Sequence, residues 1–228
     1  MGEIQELSFA DLKRVTCELL DEVFRRAEQA VPEAIQIVTP GIPPEVGQLP
    51  PAPNPAGVAS GMRIGELPVI DKFKLGGASL ARLTQLYEPL AAVVHLAIRI
   101  TDTDFTVFET IRTVKKQKEY VRKGVSKTMK SKHLPQPPDH KSHAVDLVPW
   151  IDGRAQWLWE PIYRVTFAMD CAASYLGVAD KIRWGGAWDR VLSDFGGSPA
   201  AYKQECRLYA ERLGRKPFLD GPHFEWVG

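Results

Sequence analysis

His223 follows the carboxylate of Asp220 by three residues in the closing stretch Asp220-Gly221-Pro222-His223-Phe224-Glu225-Trp226-Val227-Gly228. A neutral imidazole is a transition-metal ligand, and a carboxylate close by can take and return the proton of a water beside that metal. Upstream, Ser131-Lys132-His133 and Ser142-His143-Ala144-Val145-Asp146 offer a second imidazole and another carboxylate. Two histidines, one aspartate and a separate acid are the parts of a hydrolytic zinc site, with three protein ligands and one position open to water.

Such a site needs rigid elements to hold it, and the apolar spacing supplies them. Leu83, Leu86, Leu90, Val93, Ala97 and Ile100 recur at helical intervals, so Ser79 to Ile100 reads as a helix bent or restarted at Pro89. Phe105 to Phe108 reads as a strand, Thr113 to Lys123 as a polar helix and Ala144 to Val148 as a second strand. Ile162, Val165, Met169, Ala172, Ala173 and Leu176 mark a buried helix that Gly177 ends. Ser198 to Arg212 reads as a further helix and Phe224 to Val227 as a closing strand. Short strands separated by helices, with candidate ligands at strand ends, indicate an α+β fold with a small, mainly antiparallel sheet flanked by helices.

The N-terminal third is different. Ser8 and Asp11 start a capping box, and Leu12, Val15, Leu19, Val23 and Ala27 continue it as an amphipathic helix over 9–30. Eight prolines between Pro32 and Pro55 make the following stretch an extended arm. The expected organisation is an N-terminal helix in 1–30, a Pro-rich arm in 31–71 and a catalytic domain in 72–228.

The markers in the last part resemble, in order, those of the zinc D-alanyl-D-alanine carboxypeptidase (VanY-type) and L-alanyl-D-glutamate endopeptidase family, above all its bacteriophage endolysin branch. That family's Ser-x-His, Ala-x-Asp and late acid-x-x-His are matched by Ser131-Lys132-His133, Ala144-Val145-Asp146 and Asp220-Gly221-Pro222-His223. Phe108-Glu109-Thr110-Ile111-Arg112-Thr113, Gln117 and Gly124-Val125-Ser126 are similar to the family's segment before the first ligand. Ile182-Arg183-Trp184-Gly185-Gly186-Ala187-Trp188 is similar to its Trp-Gly-Gly-x-Trp stretch. The resemblance covers roughly residues 72–228. It implies one zinc ion per chain on His133, Asp146 and His223, with Asp220 as the catalytic acid/base. It also implies a peptidoglycan stem peptide as substrate and a fold like that of the zinc DD-peptidases and Hedgehog domains.

Two departures bear on the ligand set. His133 and Asp146 are thirteen residues apart where the family spacing is seven, so Leu134 to Lys141 contains an insertion stiffened by three prolines. His140 lies inside it, six residues before Asp146, and competes with His133 as the first ligand. Ala187 stands where the family often has aspartate. Glu225 shares a strand face with His223 and is a rival to Asp220 as base or, alternatively, a support for His223.

Arg112, beyond the first strand, is a candidate to grip a substrate carboxylate or polarise the scissile carbonyl. Ser126 and Ser131 are candidates to bind substrate or orient His133. Nine Lys/Arg residues between Arg112 and Lys132 read first as a solvated helix face and second as an attraction for acidic stem peptides. With a net charge of +1 and few aromatics in that run, nucleic acid is not an expected partner. Cys17, Cys171 and Cys206 are too few and too dispersed for a disulfide framework. No His-Glu-x-x-His, Gly-x-Ser-x-Gly or phosphate-binding glycine loop is present. No 18-residue apolar run or signal-like start is visible, so synthesis in a host cytoplasm, action on the wall after release, no membrane span and a monomeric state are expected. The alternatives are a D-alanyl-D-alanine carboxypeptidase and a non-catalytic phage structural or wall-docking protein that keeps the fold.

Overall fold

The computed structural model describes residues 69–228, and the expected N-terminal helix and nearly all of the Pro-rich arm lie outside them. The described chain runs α1 (Gly77–Leu83), α2 (Glu88–Ile100), β1 (Phe105–Glu109), α3 (Val114–Arg122), β2 (Ala144–Ile151), β3 (Arg154–Ala155), α4 (Trp159–Tyr175), β4 (Ile182–Trp184), α5 (Pro199–Leu213) and β5 (His223–Trp226). The strands form one antiparallel sheet in the order β1-β2-β5-β4, with β3 folded back on β2 as a hairpin. This is the α+β architecture expected from the sequence, with two short added strands, β3 after β2 and β4 in the Trp-Gly-Gly-x-Trp stretch.

Local chemistry sets the boundaries. Pro89 has no N–H and its ring would strike the carbonyl four residues back, so the expected long helix breaks after Leu83 and restarts with Pro89 in the first turn of α2. Thr113 caps α3 by accepting from Lys116 N at 3.2 Å, and Ser198 caps α5 by accepting from Ala201 N at 3.2 Å. Gly177 and Gly214, at φ of 68° and 62°, take the left-handed conformation that closes α4 and α5.

Two-residue periodicity sorts the sheet into two chemically opposite faces. Phe105 and Val107 of β1, Val145 and Leu147 of β2, Ile182 and Trp184 of β4, and Phe224 and Trp226 of β5 are all buried. They pack in one core with Leu90, Val93, Ala97, Val165, Met169 and Ala172 of α2 and α4. The residues between them, Asp146, Arg183, His223 and Glu225, therefore share the other face. A bulge between Val107 and Glu109 breaks the alternation of β1 and sets Glu109 opposite Asp146, adding a further carboxylate to that polar face. The outer edge of β1 is closed by α1, whose Ser79 Oγ accepts from Val107 N at 3.1 Å while Arg82 Nη1 donates to Val107 O at 2.9 Å.

One buried acid belongs to the scaffold. Asp170 on α4 accepts from Tyr202 Oη on α5 at 2.6 Å, and burial, opposed by that bond, pushes its carboxyl up to about 6. Between the ordinary carboxylate range and pH 6 the folded state thus holds a proton that the unfolded chain has released. Stability from this group is full below about pH 4 and is lost as pH rises through 6. Asp170→Asn, which keeps an acceptor for Tyr202, is expected to remove this loss. In urea titrations at pH 4, 5 and 7 the gap between variant and wild type should grow with pH in the variant's favour, by on the order of 2–3 kcal/mol. A pH-independent gap would refute the assignment.

Candidate active site

Register brings the candidate ligands together. Asp146 pairs directly with His223 across the β2–β5 ladder, so both side chains leave the same face at the same height. His133 comes from the connection between α3 and β2, anchored by Arg112 N donating to His133 O at 2.8 Å. The result is a cluster in which His133 Nε2 is 3.2 Å from Asp146 Oδ1 and 3.2 Å from His223 Nδ1, and His223 Nδ1 is 3.0 Å from Asp146 Oδ1. His133, Asp146 and His223 are the group among the described residues able to hold a metal ion. His140 is exposed, at φ 55°, on the loop after His133 and is not part of that group. The loop closes on itself through Gln136 N to Lys141 O at 2.9 Å, and His143 N donates to Lys132 O at 2.9 Å at its base. Extra length between the two ligands therefore bulges outward without separating them.

The hydrogen bonds on the far sides of the rings decide which nitrogens face inward. His133 Nδ1 donates to the Thr110 carbonyl at 2.6 Å, which leaves Nε2 with its lone pair. His223 Nε2 faces Glu225 Oε2 at 3.2 Å, which turns Nδ1 inward. Two ring nitrogens and a carboxylate oxygen thus converge on one point, where His223 Nδ1 can offer its lone pair once its proton has left. Bonds of ~2.0–2.2 Å to a tetrahedral zinc put its ligands roughly 3.3–3.5 Å apart, close to the 3.0–3.2 Å spacing seen. The outward bonds to Thr110 and Glu225 are the kind that fix ring orientation in metal sites.

Without a cation, His223 lies between two carboxylates. Burial disfavours its charge, yet the bonds to Asp146 and Glu225 outweigh burial and raise it to about 10. Burial also pushes Asp146 up, but His133 and His223 pull it far below the usual carboxylate range. Glu225 resists burial through His223 and Arg183 and falls to about 2. Asp220 moves the other way: burial and then the repulsion of Asp146 raise it, against the pull of His223, His133 and Arg112.

Asp220 stands on the turn leading into β5 and lines the groove that holds the cluster. Backbone contacts set the turn: Asp220 N donates to Gly185 O at 2.9 Å and His223 N to Asp220 O at 3.0 Å, while the Trp184 indole donates to Gly221 O at 2.6 Å. Trp188 packs against His223 with ring centres 5.1 Å apart at an interplanar angle of 37°, and its indole donates to Phe218 O at 2.9 Å. The Trp-Gly-Gly-x-Trp stretch is thus the platform under the acid and the last ligand. Ala187, at the aspartate position of the resemblance, is fully buried.

Arg112 also lines the groove, but protein groups already engage it. Nε donates to Glu109 Oε2 at 3.1 Å, Nη2 contacts the same oxygen, and Nη1 donates to Gln117 Oε1 at 2.7 Å. Its guanidinium lies over Tyr120 at 4.6 Å, with Nη2 3.9 Å from Asp146 Oδ2. Two of its five N–H groups remain for a further acceptor. Fully buried Gln117 joins this network to the next loop, donating to Ser126 Oγ at 2.8 Å and Thr128 O at 2.6 Å. Ser131 Oγ accepts from His133 N at 3.3 Å. Ser126 and Ser131 therefore brace the loop that carries His133, and both also line the groove. Glu109 and Thr110 are the site residues for which sequence reasoning assigned no role. A β-bulge and a backbone carbonyl leave no signature in residue type, and only the non-local pairing with Asp146 and His133 reveals them.

The groove has a volume of about 810 Å³. Lys127, Lys130, Lys132, Arg215 and Lys216 line it, whereas Lys115, Lys118, Arg122 and Lys123 of the same basic run are exposed on or just after α3. Cys171 and Cys206 are free thiols, each pushed up to about 11 by burial, so neither offers a thiolate near neutrality. No helix among the described residues is long and apolar enough to cross a membrane.

Comparison with known proteins bears on this site. The phage L-alanyl-D-glutamate peptidase family matches residues 71–227. An L-alanyl-D-glutamate peptidase of Escherichia phage T5 is 31% identical over 121 residues, which are 51% of this chain and 82% of that protein. The crystal structure of the Serratia marcescens L-Ala D-Glu endopeptidase ChiX aligns with a TM-score of 0.50 at 28% identity, covering 71% of this chain and 96% of the other.

A metal can take His223 Nδ1 only once its proton has left, and with His223 raised to about 10 that proton is present at pH 7. Zinc titration by calorimetry is expected to give one ion per chain, about one proton released at pH 7, and affinity that climbs as pH rises toward 10. Glu225→Gln should weaken zinc about 10–100-fold. Heats independent of the buffer's ionisation enthalpy would refute the proton exchange.

Proposed function

Because the chain belongs to the phage L-alanyl-D-glutamate peptidase family, we propose that it hydrolyses the L-alanyl–D-glutamate bond of peptidoglycan stem peptides, with one zinc ion held by His133, Asp146 and His223. The observation that carries this reading is the convergence of three lone-pair atoms within 3.0–3.2 Å at the floor of a groove that Asp220 also lines. Zinc bound there would supply a Lewis acid that makes a water acidic near pH 7.

The protein's own groups do the rest. Asp220 is the acid/base: it accepts the proton of the attacking water and returns it to the leaving amine of D-glutamate. Burial and the neighbouring Asp146 raise its proton affinity, which makes it a stronger base than a surface aspartate and a carrier that can hold the proton between the two steps. Glu225 holds His223 by Nε2 and is itself held by Arg183, donating through Nε at 2.9 Å, so its oxygens are committed to positioning the ligand. Arg112 is locked by Glu109 and Gln117 and keeps two N–H groups for the scissile carbonyl or a substrate carboxylate. Ser126 and Ser131 keep the wall of the groove and the His133 loop in place. The lysines and arginines along the groove suit a stem peptide rich in carboxylates.

Asp220→Asn is expected to bind zinc as wild type does and to lose turnover by about 10²–10⁴-fold, whereas His223→Ala should lose both. The measurement is mass spectrometry of purified peptidoglycan digests, with zinc and after chelation. Zinc-dependent peptides with a new D-glutamate N-terminus support the reading. Release of terminal D-alanine alone would make the protein a carboxypeptidase, and no product from folded chain would favour a docking protein that keeps the fold.

A further inference from the structure

Phe108 and Trp157 are large aromatic side chains left 46% and 56% exposed, with ring centres 5.2 Å apart in edge-to-face contact. Both line the groove that holds the ligand cluster, beside Val148. Exposed aromatic surface continuous with a reaction groove marks a binding surface more often than chance exposure does. The β1 bulge separates Phe108 from the regular ladder, leaving it beside Glu109, the cross-strand partner of Asp146. One residue along β1 and one strand spacing therefore bring the pair within roughly 5–10 Å of the ligand.

The groove has two chemically distinct ends. Strand order places β1 at one edge of the main path and β4 at the other, with the ligand strands β2 and β5 between them. Arg183 lies at the β4 end, near Trp188, and Lys127 lies over the Phe218 ring. At the β1 end stand Phe108 and Trp157.

We propose that the Phe108–Trp157 pair is a saccharide-stacking subsite that holds the amino sugar joined to the stem peptide, an inference that rests on the peptidase reading above. The L-alanyl residue is the first of the stem and is bonded through a lactyl group to the glycan. From the scissile carbonyl to the sugar ring is thus about two residue lengths, ~7 Å, the same scale as the reach from the ligand cluster to the aromatic pair. A pyranose presents one face of C–H groups, which flat rings cover well, and a rim of hydroxyl and acetamido groups that stay in water. The acidic remainder of the stem would then run toward the cationic end.

The test compares kcat/KM of the full-length chain on a disaccharide-bearing muropeptide and on an N-acetylated stem peptide of the same sequence without sugar. Wild type is expected to prefer the muropeptide by about tenfold, and Trp157→Ala or Phe108→Ala to bring that ratio toward one. A wild-type ratio near one, or a ratio that survives both substitutions, overturns the subsite. The N-acetylated disaccharide alone is the second probe, read by tryptophan fluorescence. If neither peptide is cut but the disaccharide binds wild type and not Trp157→Ala, the peptidase reading fails and the subsite stands. If it does not bind, the subsite falls. Trp157 already shielded from acrylamide before any ligand is added would mean that another part of the chain or a second copy covers the pair, and would overturn it too.

Discussion

Asp146 stands opposite His223 in the β2–β5 ladder, and the groove depends on that register. Side chains alternate faces along a strand and cross-strand partners share a face, so a slip of β2 by one residue would turn Asp146 into the helix-covered core and bring Val145 and Leu147 out into the groove. Burial of those apolar residues against α2 and α4 therefore fixes where the polar residues point. The hydrophobic effect has no direction of its own, yet through strand periodicity it specifies the position of each ligand.

The polar face can exist beside that core only because its charges are matched. Four carboxylates, Glu109, Asp146, Asp220 and Glu225, meet three cations, Arg112, Lys116 and Arg183. The hydrogen bonds from His223 to Asp146 and Glu225, reinforced by the charges of Asp146 and Asp220, explain why it holds a proton so tightly despite its burial. Exchange of that proton for a divalent ion would make the site more positive by one charge. Such a gain of positive charge would suit the proposed hydrolysis, in which an oxyanion forms. Leaving any of these buried charges without its partner costs far more than the pair contributes, so the network holds its geometry together.

The sequence made the helices, three of the five strands and the three residues that the fold gathers into one cluster, His133, Asp146 and His223, legible, since all of these depend on local period or on short motifs. Pro89 marked the helix restart, and Gly177 the end of α4. What stayed hidden was non-local. The two-residue β3 and three-residue β4 are too short for a periodic signal and exist through their pairing with β2 and β5. The competition between His133 and His140 depended on how the loop of Leu134 to Lys141 closes, which its prolines do not reveal. Arg112 reads as a free substrate clamp in a one-dimensional chain, whereas the bulge at Phe108 delivers Glu109 to it. The helix expected in residues 9–30 and the Pro-rich stretch up to residue 68 lie outside the described residues.

Gly185 and Gly221 show how the Asp220 carboxylate is placed without side-chain hydrogen bonds of its own. A Cβ on Gly185 would lie 2.2 Å from the Asp220 carbonyl, so only glycine lets the β4 exit press against the acid's backbone. A Cβ on Gly221 would meet Trp159 and Ile162 of α4 at 2.7 and 2.9 Å, so the turn is held from the other side by the helix layer as well. Asp220 is thus fixed through its main chain by three elements at once, while its carboxyl remains free to exchange a proton. A base held by its side-chain oxygens, as Glu225 is, would have to break those bonds in order to act. The division between an acid placed by backbone and an acid placed by hydrogen bonds is what favours the acid/base role proposed for Asp220 and the supporting role proposed for Glu225.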